Sequence, residues 1–145
     1  MSRATYTHKF VKAFPERLEE GVLYVSMEFA TAAHRCFCGC GSEVYTRFSP
    51  TDWSMKFDGE TVTISPSIGN WSFACQSHYI LANGRVRWAD KWSRERIEMG
   101  RAFDREHKER HYKGSHSVTH APTQGGQQMP RPGLFTRLVH WLRDR

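Results

Sequence analysis

The sequence predicts a mainly β fold of the α+β class: a small antiparallel core of hairpins around a cysteine knuckle, followed by a charged helix and a tail. Three observations predict it. Asp58-Gly59 stands between two runs of strand formers, Trp53 to Phe57 and Glu60 to Ser65, a strong type I′ hairpin signal. A second hairpin pattern, His78 to Leu81 and Arg85 to Ala89, flanks Ala82-Asn83-Gly84. From Trp92 to Tyr112 the chain becomes mostly charged. Ser93 stands there as an N-cap, and Ile97, Met99, Ala102 and Phe103 form a thin apolar stripe at helical spacing.

The elements follow in order. Phe10 to Glu20 reads as a short helix or an extended lead-in, with Pro15 against one continuous helix. Val22 to Ala30 is rich in β-formers and reads as a strand. Glu28 lies within it, facing solvent, with Met27 and Phe29 on the opposite face. Ala30 to Ala33 leads into the knuckle, Glu43 to Phe48 is the next strand, and Ser49-Pro50-Thr51-Asp52 is a turn. Ser65 to Trp71 is a loop of small, polar and turn-forming residues leading to Cys75. On the helix, Asp104–Lys108 and Glu106–Arg110 suit a solvated face. His107 and His111 stand one turn apart with no third ligand in view, and plain exposure is the simpler reading. Lys113 to Gly133 has the Ser, Thr, Gly, Gln and Pro content of a flexible linker. Leu134 to Arg145 returns to an amphipathic helical pattern suited to docking on protein. The expected organisation is residues 1–112 as the domain, 113–133 as the linker and 134–145 as a helical tail.

The 145 residues suffice for one modest core, and 39% hydrophobic with 25% charged residues fits a globular body. No apolar run is long enough to span a membrane, and Met1 to Gly21 carries charges throughout with no apolar block of a secretory signal. The expected location is the cytoplasm, where thiols stay reduced. The charge is uneven: residues 1–84 hold 7 Lys/Arg and 8 Asp/Glu, net −1, and residues 85–145 hold 14 and 7, net +7. A basic tail suits nucleic acid or an acidic protein. Interspersed acids and the lack of an aromatic-basic RNA motif favour a solvated helix and tail, with no specific nucleic acid as partner.

The chemistry concentrates in the cysteines. His34-Arg-Cys-Phe-Cys-Gly-Cys-Gly41 holds Cys36, Cys38 and Cys40 within five residues, and Cys75 follows 35 positions later in a C-x-x-H step with His78. Three cysteines this close pair poorly with one another, which argues against a disulfide framework. A tetrahedral zinc site uses them better, with Cys36, Cys38, Cys40 and Cys75 as ligands and Gly39 and Gly41 letting the backbone wrap the ion. Free buried thiols are the bland alternative. His34 and His78 can each replace one cysteine, or stand beside the metal for other chemistry. If Cys75 closes the site, the loop before it approaches the knuckle and brings Ser67, Asn70, Ser77 and His78 near one place.

Glu28-Phe-Ala-Thr-Ala-Ala-His34, the Cys36–Gly41 knuckle, Pro66-Ser-Ile-Gly-Asn-Trp71 and Cys75-Gln-Ser-His-Tyr79 together resemble a small bacterial family, the BubE-like proteins, across roughly Val22 to Tyr112. Its members are typically encoded beside ubiquitin-like proteins and E1-like and E2-like enzymes. The resemblance implies a role in a ubiquitin-like pathway, as a hydrolase that processes or deconjugates the ubiquitin-like protein. Acting on a peptide or ester carbonyl requires a nucleophile, a base and an oxyanion donor. In one arrangement Ser67 attacks, His78 or His34 takes its proton, Glu28 orients the imidazole, glycine-turn amides hold the oxyanion, and zinc is structural. In the other, zinc keeps three protein ligands and activates a water, with Glu28 as base. Four available thiolates favour the first, because they leave no open position. A turn serine after proline also explains Ser67. The rival class is a non-catalytic zinc-stabilised module that holds a ubiquitin-like partner or its conjugation enzymes through Trp53 and Trp71.

Overall fold

A computed structural model describes residues 3–116. The first sheet contains β1 (Thr7–Phe10), β2 (Val22–Ser26), β3 (Thr31–Arg35) and β4 (Glu43–Arg47), in that order. The second contains β5 (Ser54–Phe57), β6 (Val62–Gly69), β7 (His78–Ala82) and β8 (Arg85–Trp88), also in order. Every pairing is antiparallel except β1 with β2. The helix α1 (Arg94–His116) closes the described chain. The fold is therefore mainly β with a C-terminal helix, as the hairpin and helix signals predict. Among the described residues no helix is long and apolar enough to cross a membrane.

The two sheets share one core. Leu23, Val25, Ala32 and Val44 of the first meet Val62, Ile64, Ile68, Tyr79 and Leu81 of the second. Alternation on β4, with Val44 and Thr46 buried and Glu43, Tyr45 and Arg47 exposed, is what packing one face requires. On β2 all five residues are buried, because the 11–21 segment folds back over its outer face and packs Leu18, Val11 and Phe14 on Val22 and Tyr24. That segment is the extended lead-in rather than a helix.

Four boundaries differ from the sequence reading, each for a local reason. The strand expected to run to Ala30 ends at Ser26. There the Ser26 hydroxyl accepts from the Phe29 amide at 3.3 Å, and Ala30 takes φ 44, turning the chain into β3. The first hairpin closes around Gly59-Glu60, with the Asp58 amide on the Thr61 carbonyl and Asp58 Oδ1 accepting from the Glu60 and Thr61 amides. Ser65 to Gly69 is strand rather than loop. It continues β6 past a register shift between Ile64 and Ile68. Finally, Thr7–Phe10, too short to signal itself, pairs parallel with β2. The second hairpin turns on Asn83 (φ 50) and Gly84 (φ 71), the positive pair that a type I′ turn needs.

Ser93 caps α1: its hydroxyl accepts from the Arg96 amide at 3.3 Å. The helix touches the body through Lys108, whose ammonium lies 2.6 Å from Asp52, and Arg101, which donates to Ser72 at 3.4 Å. The 104–108 and 106–110 ion pairs are present, and His107 and His111 are exposed. The helix continues to His116, four residues into the expected linker. The rest of that linker and the 134–145 tail lie outside the described residues.

Candidate active site and metal centre

Ser67 and His78 meet across the β6–β7 pair. Gly69 stands opposite His78, so Ser67, two residues earlier on the same face, is its diagonal neighbour. Ser67 Oγ lies 2.9 Å from His78 Nε2, and His78 Nδ1 lies 2.8 Å from the main-chain carbonyl oxygen of Asp90. The carbonyl fixes the tautomer. It can only accept, so Nδ1 carries the proton, and Nε2 of the neutral ring is left to accept from the serine hydroxyl. Asp90 sits where it does because the Ala89 amide donates to the His78 carbonyl at 2.9 Å, tying the end of β8 to the start of β7.

Aromatic rings hold the imidazole on its other sides. Trp71 and Trp92 lie 5.0 and 5.4 Å from it, centroid to centroid, and stack on each other at 5.5 Å. His78 is buried as a result. Trp71 reaches this position by lying on Gly69. A Cβ at residue 69 would stand 2.4 Å from the indole nitrogen, so glycine is a steric requirement there.

The four cysteines converge. The sulfur atoms of Cys36, Cys38, Cys40 and Cys75 all lie within 4.8 Å of one another, with Cys36 to Cys38 at 3.3 Å and Cys40 to Cys75 at 3.7 Å. Ligands at about 2.3 Å from a tetrahedral ion are about 3.8 Å apart, so the cluster can hold a metal ion. Burial and the Cys36 thiol push Cys38 up to about 12, and hydrogen bonds from Ser42 pull Cys40 down to about 6. Four thiolates at this spacing need a cation at their centre. The Cys36 sulfur is also within reach of polar groups: Ser77 Oγ at 3.1 Å, Asn70 Nδ2 at 3.8 Å and the Tyr79 hydroxyl at 3.9 Å. Asn70 Nδ2 donates to Ser77 Oγ at 2.9 Å, and Ser77 precedes His78 in the chain. One polar cluster thus joins the cysteines to the strand that carries the histidine.

Two candidates stand elsewhere. His34 is fully buried, stacked on Phe37 at 4.7 Å, with Nε2 at 2.9 Å from the Tyr79 hydroxyl and Nδ1 without a hydrogen-bond partner. Burial pulls its pKa down to about 3, which keeps it neutral. The Tyr79 hydroxyl stands between it and the Cys36 sulfur, and it makes no hydrogen bond to Ser67 among the described residues. Glu28 lies in the exposed β2–β3 turn and makes no hydrogen bond or ion pair among the described residues. It is the Asp90 carbonyl, and not Glu28, that meets His78 Nδ1 in the structure. A main-chain group leaves no side-chain signal in a sequence. Trp53 and Trp71, the residues of the binding-module reading, are each half-buried: Trp53 packs against the core and Trp71 covers Gly69.

No curated protein and no solved structure matches this chain. A family model does: it matches residues 10–89, which include Ser67, His78 and all four cysteines. That span is more than half of the 145 residues, and the chain belongs to this family, BubE, described as the bacterial ubiquitination-like system serine protease.

Proposed function

We propose that the protein is a serine hydrolase of a bacterial ubiquitin-like pathway. Ser67 would be its nucleophile, His78 its general base and the cysteine cluster a structural zinc site. The observation that carries this reading is the 2.9 Å contact between Ser67 Oγ and His78 Nε2, with Nδ1 held on the Asp90 carbonyl. The substrate is the C-terminal region of a ubiquitin-like protein, as a precursor extension or as a conjugate. The E1-like and E2-like enzymes of such a pathway are further partners, and the cytoplasm is the compartment in which the thiols stay reduced.

The chemistry follows from the atoms. Ser67 Oγ attacks the substrate carbonyl carbon while its proton passes to His78 Nε2. The imidazolium that forms is stabilised by the Asp90 carbonyl at Nδ1 and by the flanking tryptophan rings. The Gly69 amide, pointed away from β7 by the strand register, is the candidate oxyanion donor. Collapse of the tetrahedral intermediate expels the leaving amine or alcohol, which takes the proton from His78. Water then attacks the acyl carbon as its proton passes to His78, and Ser67 Oγ departs taking that proton back from the imidazolium, which releases the carboxylic acid. Cys36, Cys38, Cys40 and Cys75 would hold zinc, which would cross-link the knuckle to the segment leading into β7.

The test uses a cognate ubiquitin-like protein with a C-terminal extension, and the same protein in ester linkage to an alcohol. Ser67→Ala is expected to lose turnover on both while keeping its metal content and fold. Full turnover by this variant would overturn the serine mechanism.

A further inference from the structure

A strand is missing beside the proposed nucleophile. The antiparallel partner of β6 on one side is β5, which begins at Ser54, opposite Ser65. Past that point β6 runs on to Gly69 with no neighbouring strand on that side among the described residues. The Asn70 amide donates to the Ser77 carbonyl at 2.8 Å, so the alternation of antiparallel bonding turns the Gly69 amide and carbonyl away from β7, towards the gap. The facing wall is β4, the edge of the first sheet. Its register is fixed by the Cys36 amide on the Ser42 carbonyl and the Phe48 amide on the Ala30 carbonyl. The same alternation then gives Val44 and Thr46 to β3 and leaves the backbone groups of Glu43 and Tyr45 pointing outward. Between these walls lies a cleft of about 210 Å³, lined among others by Glu43, Tyr45, Trp53, Gly69, Trp71 and Phe73. The indole N–H of Trp53, a lining residue, is buried without a hydrogen-bond partner among the described residues.

We infer that this cleft binds an extended peptide as an added strand, paired with the outward edges of β4 and of β6 at Gly69. The inference rests on the hydrolase reading for the identity of the peptide: the flexible C-terminal tail of the ubiquitin-like substrate, led to Ser67 two residues from Gly69. Three features select that occupant. Unpaired main-chain donors and acceptors face the cleft from both walls, and an extended backbone is the ligand that satisfies such a pattern. The volume lies below the ~300–1,000 Å³ of sites for compact small molecules and suits a short run of small residues. The indoles and Phe73 supply apolar walls, and the one charged residue among those lining the cleft, Glu43, disfavours an anionic ligand.

The test is a titration of the full-length, metal-loaded protein with a capped hexapeptide of alternating alanine and threonine. It is followed by NMR at the backbone amides of Tyr45 and Gly69 and at the indole of Trp53. The parent peptide is expected to shift these three signals. N-methylation at alternate peptide amides, in either phase, is expected to weaken binding about tenfold, because one phase faces each wall. Tyr45→Pro, which removes an outward N–H from an edge strand, is expected to weaken it similarly at an unchanged melting temperature. Signals that do not move, or N-methylated peptides that bind as the parent does, would overturn the inference. Binding by Ser67→Ala is expected to match the unsubstituted protein. Turnover by that variant reports on the serine mechanism alone, so failure of the cleft and failure of the nucleophile are read separately.

Discussion

The cysteine knuckle and the Ser67–His78 pair are built on opposite principles. Three of the four cysteines come from one five-residue stretch, so chain spacing brings most of the cluster together before any tertiary contact forms. What spacing leaves unsolved is charge: as thiolates, four sulfurs within 4.8 Å would repel one another, and the cluster could hold a metal ion that relieves this. The serine and histidine stand eleven residues apart and meet only because β6 and β7 pair in one register. Their neutral hydrogen bond is held by the protein's own carbonyl and rings. The first site is local in sequence and would be completed by an ion from outside. The second is remote in sequence and completed from within. They meet at Ser77, whose hydroxyl lies 3.1 Å from the Cys36 sulfur and whose neighbour is His78. Damage should therefore travel from the metal centre to the pair and not in reverse.

The largest effect expected is loss of the metal centre. Zinc in small structural sites contributes on the order of 10–16 kcal/mol, more than the ~5–15 kcal/mol by which a domain is folded. Metal analysis should find about one zinc per chain, and Cys38→Ser or a strong chelator should give insoluble or molten protein by near-ultraviolet circular dichroism. A chelated protein that keeps its tertiary signal and its turnover would dissolve the asymmetry.

The reverse direction should leave the metal untouched. Ser67→Ala and His78→Gln should each lower turnover by several orders of magnitude, and the double variant by little more, because nucleophile and base act as one unit. Zinc content should stay at the unsubstituted level in all three. Additive losses in the double variant would mean that His78 does something other than serve Ser67.

Gly69→Ala tests the ring support. The new methyl would meet the Trp71 indole at 2.4 Å, which only displacement of the ring relieves. Overpacking of this kind costs about 1–3 kcal/mol, visible as a drop of several degrees in melting temperature. Turnover should fall with it, since His78 loses one wall. Adding Trp71→Ala should recover part of the stability and none of the turnover, a coupling that a double-mutant cycle reads directly.

What was legible in the sequence follows the same division. The cysteine set could be read because ligand spacing is a property of the chain itself. The two hairpins could be read because Asp58-Gly59 and Asn83-Gly84 are specified by turn chemistry. Ser67 and His78 could be placed in one neighbourhood by supposing Cys75 anchored, although the reason they touch is strand register, which no local pattern displays. Ser65 to Gly69 looked like a loop because Ser, Pro and Gly are poor strand formers. Sheet pairing overrode that preference, and Gly69 is glycine for the sake of Trp71. The Glu28 turn was hidden because Met27-Glu28-Phe29-Ala30 lacks Gly, Pro and Asn, and the positive φ falls on an alanine. Asp90 was out of reach for a simpler reason: it meets His78 through a carbonyl that every residue carries.

The smallest effect belongs to the helix, the element least bound to either site. Asp52 is 14% exposed at its side chain and lies 2.6 Å from Lys108, which also bonds Asp104. The Lys108 ammonium holds the Asp52 carboxyl below the usual carboxylate range, helped by the Ser49 hydroxyl. The sign follows from that direction. A carboxyl whose folded pKa is depressed contributes stability that is fully present above its unfolded value near 3.9, and loses it as pH falls through the lower folded value. Asp52→Asn should therefore loosen α1 at neutral pH by about 0.2–1 kcal/mol, the range of partly exposed pairs. Hydrogen exchange in residues 100–108 would report it. The variant should match the unsubstituted protein once the acid end of the titration has protonated Asp52. The effect should shrink with added salt. Turnover should not change, because Asp52 and Lys108 touch neither Ser67 nor His78. A loss of turnover in Asp52→Asn would mean that the position of α1 reaches the imidazole through Trp92, which packs under Arg96 at 4.5 Å and beside Gly100, and the helix would then belong to the site rather than to its periphery.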